Sequence, residues 1–225
     1  HVVYGTAQAI LAGDALLAAA SHRTAAFGVP ALLSCVSEAV LMTAEGEARE
    51  MALQHSLTHG MDEYERIAAG KTGWLIKSSC RLGALFAGAP EAQTEALSEY
   101  GLNLGIAFQI VDDALDFADP AVTGKPAAGD LTEGKLTPPV MKYLDFLPHV
   151  ERDAFRGKFE KGTFTPEDRE RIAADIRRLG FDAEARALAG VYLDRAEASL
   201  ESVPESGQPH KVFREALEFV RKRAS

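Results

Sequence analysis

The sequence predicts an all-α protein, a single-domain antiparallel helical bundle, on three observations. Apolar residues recur at three- and four-residue spacing along most of the 225 residues, which is the period of a helix. No stretch shows the strict apolar–polar alternation of a half-buried strand, and no repeat of fixed period or low-complexity tract interrupts the pattern. Residues 100–119 read as one long helix that is apolar nearly all round, as expected of a helix buried inside a larger bundle.

Taken in order, residues 6–20 are strong helix formers with one polar interruption at Asp14, and are expected to form a buried helix. Gly13 suggests close packing there, and Asp14 reads as a core polar group or a functional one. Gly28 and Pro30 break the pattern before a second helix at 31–53, whose apolar side is supplied by Leu32, Leu33, Val36, Val40, Leu41 and Met51. Residues 58–62 are a turn in which Thr58 or Asp62 can cap the next helix. That helix, 61–88, is interrupted by Gly70-Lys71-Thr72-Gly73. Two helical glycines cost roughly 1 kcal/mol each relative to alanine. A distortion that aims Lys71 and Thr72 at a ligand would justify the cost; a plain helix junction with a solvated lysine is the alternative, and Lys77 reads as surface. Pro90 opens the helix leading into the 100–119 stretch. The loop at 120–139 is too long for a plain connection and is expected to be functional or mobile. Beyond it, amphipathic helices are expected at 140–147, 149–160, 166–179, 182–203 and 209–223, with Thr165 capping one start and Gly180 a stop. Arg177, Arg178 and the Arg221-Lys222-Arg223 tail read as solvated faces.

The apolar helix at 100–119 carries Gln109, Asp112, Asp113 and Asp116, which at spacings of three and four share one face. Neighbouring buried carboxylates repel one another and hold protons unless a cation compensates them. Oxygen-only donors of this kind suit Mg2+, which completes its shell with water and substrate phosphates. The flanks are too apolar for an acidic stripe facing solvent. In the 120–139 loop, Lys125 and Lys135 each follow a glycine, as does Asp130. Lysines so placed beside an acidic metal site are suited to phosphate oxygens, although a flexible polar surface loop would have the same composition.

A formal charge of −9 argues against a nucleic-acid partner, which would call for a basic face. Acidic residues outnumber basic ones up to Asp116, and the remainder is balanced and more highly charged, so the first half is expected to carry the core. Cys35 and Cys80 lie far apart inside apolar helical patterns and read as core residues of a reduced cytoplasmic protein. No apolar run has membrane-spanning length, so no integral membrane segment is expected. The chain opens at His1 in what reads as mid-element, and something is expected to precede it.

Four motifs occur in a telling order: residues 9–17, AILAGDALL; Lys71-Thr72-Gly73; residues 108–116, FQIVDDALD; and Gly124-Lys125, Gly129-Asp130 and Gly134-Lys135-Leu136-Thr137-Pro138. With these the chain resembles the trans-isoprenyl diphosphate synthases, the polyprenyl synthetase family, from about residue 1 to about residue 140. The resemblance implies one isoprenoid-synthase-type domain over 1–225, a helical bundle around a central cavity, N-terminally incomplete. It implies Mg2+-dependent condensation of isopentenyl diphosphate with an allylic diphosphate, with the released diphosphate as proton acceptor. In that reading Asp112, Asp113 and Asp116 form the second aspartate-rich motif, with Asp112 and Asp116 as direct or water-mediated metal ligands. Lys71, Lys125 and Lys135 contact the allylic diphosphate, while Thr72 and Gln109 lie near the nascent cation. The family is usually homodimeric. Its first aspartate-rich motif lies upstream of the segment resembling residues 5–17, so this chain alone is not expected to condense substrates. Two rivals follow: a catalytically incompetent synthase-like subunit, and a terpene-cyclase-like enzyme, from which the two glycine–lysine motifs tilt away.

Overall fold

The structure, a computed structural model, describes residues 1–119, 124, 127–204 and 208–224. It is built from α1 (Thr6–Ala25), α2 (Pro30–Leu53), α3 (Met61–Ala68), a π-helical turn (Ala69–Gly73), α4 (Trp74–Phe86), α5 (Glu91–Leu115) and the short α6 (Gly129–Glu133). Then come α7 (Pro138–Phe146), α8 (His149–Lys161), α9 (Pro166–Leu179), α10 (Phe181–Ser199), a 3-10 turn (Leu200–Ser202) and α11 (Gln208–Ala224). Among the described residues there is no strand, as the helical periodicity predicts.

The apolar wrapping of α5 has the expected consequence: α4 and α10 flank it and α11 leans on it. Tyr100, Ile110 and Val111 lie in the core these helices share with α3. A second core forms around Phe117, Leu131, Val140, Phe155, Phe159 and Ile176, all from the later half of the chain. Helix ends in this half follow local chemistry. Thr165 and Asp168 complete a reciprocal capping box at the start of α9, and Gly180 stops it in the left-handed conformation.

Several expectations are corrected. The core is not confined to the first half, because Phe117 and the α7 to α9 aromatics build one of their own. α1 is not buried: it has no buried residue, Asp14 is exposed and nothing lies within 4 Å of a Cβ placed on Gly13. Ile10, Leu11 and Leu16 are exposed, although α1 lies alongside α2. In α2 the packed side is Leu32, Cys35, Ala39 and Gly46, whereas Val40, Leu41 and Met51 are exposed. Gly60, without side-chain help, starts α3; Thr58 pairs with Ser56 instead. α5 ends at Leu115 rather than 119, since the chain turns there to bury Phe117, whose carbonyl accepts from Arg177 at 2.7 Å. Arg177 is therefore a strut and not a solvated charge. Lys77 lies 4.6 Å over the Trp74 ring and 3.6 Å from Glu99 rather than free at the surface.

Candidate active site

The π-turn exists because two pairs of glycines let backbones touch. A Cβ on Gly70 would stand 2.6 Å from the Gly46 Cα in α2, and one on Gly105 in α5 would stand 2.6 Å from the Gly73 Cα. Real Cβ atoms do not come so close, so α2, the turn and α5 meet at a separation only glycine permits. One extra residue in the turn then rotates Lys71 and Thr72 away from the α3 register. A distortion is expected at Gly70-Lys71-Thr72-Gly73, and close helix packing is the reason visible for it.

Register follows from that contact. Glu50 lies one turn beyond Gly46, and Lys71 follows Gly70; the ammonium donates to both Glu50 oxygens, at 2.9 and 2.7 Å. Across the turn, Thr72 Oγ1 donates to Gln109 Oε1 (2.7 Å), Gln109 Nε2 donates to Asp113 Oδ1 (2.8 Å), and Tyr64 Oη donates to Asp113 Oδ2 (2.6 Å). Burial pushes the Asp113 carboxyl up to about 6, against those two donors. Burial and the facing Asp113 charge likewise hold the Tyr64 phenol well above its ordinary value.

Asp116, at the end of α5, accepts the Asp130 N–H at 2.9 Å on its side chain and the Ala128 N–H at 2.7 Å on its carbonyl. It thereby pins the start of α6 against α5. Burial raises Asp116 in spite of the Asp130 and Gly129 N–H groups, and burial together with Asp113 and Asp116 raises Asp130 well above the carboxylate range. Asp130 Oδ2 is buried and has no hydrogen-bond partner among the described residues. Lys135 pairs with Glu133 and stands 4.0 Å from Asp130. Its burial opposes the charge, but Glu133, Glu50 and Asp130 outweigh it and raise its pKa. Lys71, Gln109, Asp113, Lys135, Glu50 and Tyr64 line one cavity of about 30 Å³, the scale of a water molecule or a small cation.

Asp112 stands apart. Adjacent helical residues point about 100° apart, so Asp112 leans toward α11 while Asp113 leans toward α3. It is the exposed member, paired with Arg223 at 3.1 Å, and the Arg223 guanidinium also covers the Phe108 ring at 4.8 Å. Arg223 is thus no solvated tail residue. Lys125 lies outside the described residues. Among those that are described, no three acidic, histidine or cysteine side chains already stand in a ligating array. The donor set nevertheless fits a hard cation: three carboxylates raised by burial, one with an unpartnered buried oxygen.

Glu50 and Tyr64 join the site without a motif that marks them. The glycine pair at 46 and 70 could have found Glu50, because a backbone contact brings the following turn of each helix together. Tyr64 had only the signal of a lone aromatic in an acidic helix.

The polyprenyl synthetase family model matches residues 1–176. This chain belongs to the polyprenyl synthetase family. Among curated proteins, solanesyl-diphosphate synthase 2 of Oryza sativa subsp. japonica is 34% identical over 98% of this chain and 52% of its own length. The chain spans about half the length of the plant solanesyl diphosphate synthases that it matches. Among solved structures, a decaprenyl diphosphate synthase from Rhodobacter capsulatus superposes with a TM-score of 0.91 at 31% identity, over 99% of this chain and 69% of that one. A Caulobacter crescentus polyprenyl synthase, solved with calcium and isoprenyl diphosphate, gives 0.88 at 33% identity, over 100% and 67%. The isoprenoid synthase fold expected of a polyprenyl synthetase is therefore present. No helix among the described residues is long and apolar enough to cross a membrane.

Proposed function

We propose that this polyprenyl synthetase acts in a Mg2+-dependent prenyltransferase that condenses isopentenyl diphosphate head-to-tail with an allylic diphosphate. The observation that carries the proposal is the convergence of Lys71, Lys135 and the Thr72–Gln109–Asp113–Tyr64 chain on one cavity beside Asp116 and Asp130. Calcium and isoprenyl diphosphate in the Caulobacter relative support the same pairing of cation and diphosphate.

Asp112, Asp113 and Asp116 would hold Mg2+, with Asp130 beside them. When bound, the metal would neutralise diphosphate charge as the carbon–oxygen bond breaks. Lys71 and Lys135 bind the diphosphate oxygens as compact positive charges. Glu50 holds the Lys71 ammonium in place until an anion arrives. Thr72 donates its hydroxyl hydrogen bond to Gln109, so its oxygen lone pairs stay available to a carbocation formed nearby. Gln109 is fixed at both ends, between Thr72 and Asp113, and cannot turn its amide hydrogens toward that cation without breaking both bonds. The exposed apolar side of α1 supports a homodimer, and the two free cysteines suit a reduced, cytoplasmic setting.

The test supplies protein from the complete reading frame with Mg2+, labelled isopentenyl diphosphate and, in parallel, five-, ten- and fifteen-carbon allylic diphosphates. A longer prenyl diphosphate is expected from at least one of them. Folded protein that binds diphosphate but forms no product would favour the non-catalytic subunit instead.

A further inference from the structure

His55 is one of two residues other than glycine with a left-handed backbone among the described residues, at φ 60°. Such a conformation costs a side-chain-bearing residue free energy and persists only where the surroundings impose it. Here they do so from three directions. The His55 N–H donates to the Gly134 carbonyl at 2.8 Å, and ring Nδ1 lies 2.8 Å from the Phe159 carbonyl near the end of α8. A carbonyl can only accept, so Nδ1 carries the hydrogen. The ring also rests against Gly134 and Gly162, where an added Cβ would stand 2.4 and 3.0 Å from its atoms. Both glycines are themselves left-handed, at φ 69° and 62°. One imidazole thus fills the space between the end of α2, the segment before Lys135 and the turn after α8.

Lys135 is the residue that this arrangement serves. Its N–H is tied to the Asp130 carbonyl at 2.9 Å on one side, and the preceding Gly134 is tied to His55 on the other. With its backbone held at both ends, the side chain is confined to the cavity that Lys71 also lines. We propose that His55 is the positioning residue that holds Lys135 in the anion site opposite Lys71. The inference deepens the diphosphate reading and rests on it for the identity of the ligand. The positioning itself can be measured without one.

His55→Gly suits the test because glycine accepts φ 60° without strain, so the variant is expected to fold, as checked by circular dichroism. Acetylation of individual lysines would be timed by mass spectrometry. In folded His55→Gly, Lys135 should react about fivefold faster while Lys71 changes less than about twofold, since a local opening frees one segment only. His55→Asn, which tolerates the left-handed region and keeps a donor, should restore much of the protection. Unchanged protection of Lys135 would overturn the proposal. In a second arm, inorganic pyrophosphate with Mg2+ is titrated by calorimetry. His55→Gly and Lys135→Ala should each weaken binding about tenfold, and the double variant no more than the worse single one, because both changes remove the same contact. Fully additive losses would also overturn it. If the wild-type chain bound no pyrophosphate while Lys135 still responded to His55→Gly, the diphosphate reading would fall and the positioning would stand.

Discussion

Asp113 sits in a buried hydrogen-bonded frame, and its behaviour with pH follows from that burial. Its folded pKa, about 6, lies above the ordinary 3.8 because burial disfavours the charge. A carboxyl raised on folding binds more protons in the native state. Its contribution is therefore complete below about pH 4 and is lost as pH rises through 6. In chelator-treated protein, the Tm difference between wild type and Asp113→Asn should move in the variant's favour as pH is raised from 4 to 7. Added Mg2+ should raise the wild-type Tm more at pH 7 than at pH 5. A difference flat across that range would remove the buried charge from the account. At this scale the sequence was informative about type and less so about direction. The spacing of 109, 112, 113 and 116 placed four polar groups on one stripe. It did not say that two neighbours about 100° apart would face different helices. Asp112 consequently meets Arg223, a partner 111 residues away that no local pattern could reveal.

The π-turn is the element on which the site depends, and its glycines contrast with a helical glycine outside it. Gly70→Ala would drive a Cβ into the Gly46 backbone at 2.6 Å, and backbone cannot be displaced as a flexible side chain can. A loss of about 1–3 kcal/mol is expected from such overpacking. Gly83, inside α4, has nothing within 4 Å of an added Cβ. Gly83→Ala should stabilise by about 0.5–1 kcal/mol, since only the helical preference of alanine is at work. Urea denaturation of the two variants should move in opposite directions, and movement in the same direction would mean that α2 and the turn do not meet as described. The glycines at 70 and 73 were legible as an interruption from composition alone. Their partners, Gly46 and Gly105, were not, because helix contacts join residues far apart in sequence. The helices after residue 140 are legible in the sequence, since caps such as Thr165 and Gly180 are local signals. α1 departs from its expected burial for the converse reason: its apolar composition is real, but its contact with α2 buries none of its residues.

On the scale of the whole molecule, two apolar cores hold the ends of one site. The core around α5 fixes Lys71, Thr72, Gln109 and Asp113, while the core around Phe117, Leu131 and Phe159 carries Asp130 and Lys135. Met141 packs against both cores; Asp116 ties α5 to the α6 amide, and His55 ties the end of α2 to Gly134 and Phe159. A ligand that engages both lysines therefore spans both cores, and its binding should stabilise the fold as a unit. The central claim is that the α5 carboxylates and these lysines together bind diphosphate through a divalent cation. Its most direct test is calorimetric titration of inorganic pyrophosphate into the folded protein, with Mg2+ and then with chelator. Binding should appear only with Mg2+, and both Asp112→Ala and Lys71→Ala should weaken it by about tenfold or more while leaving the helical content intact, since the first removes a carboxylate proposed to hold the cation and the second a positive charge proposed to meet the diphosphate. Pyrophosphate that binds equally well in chelator, or equally well to both variants, would contradict the account.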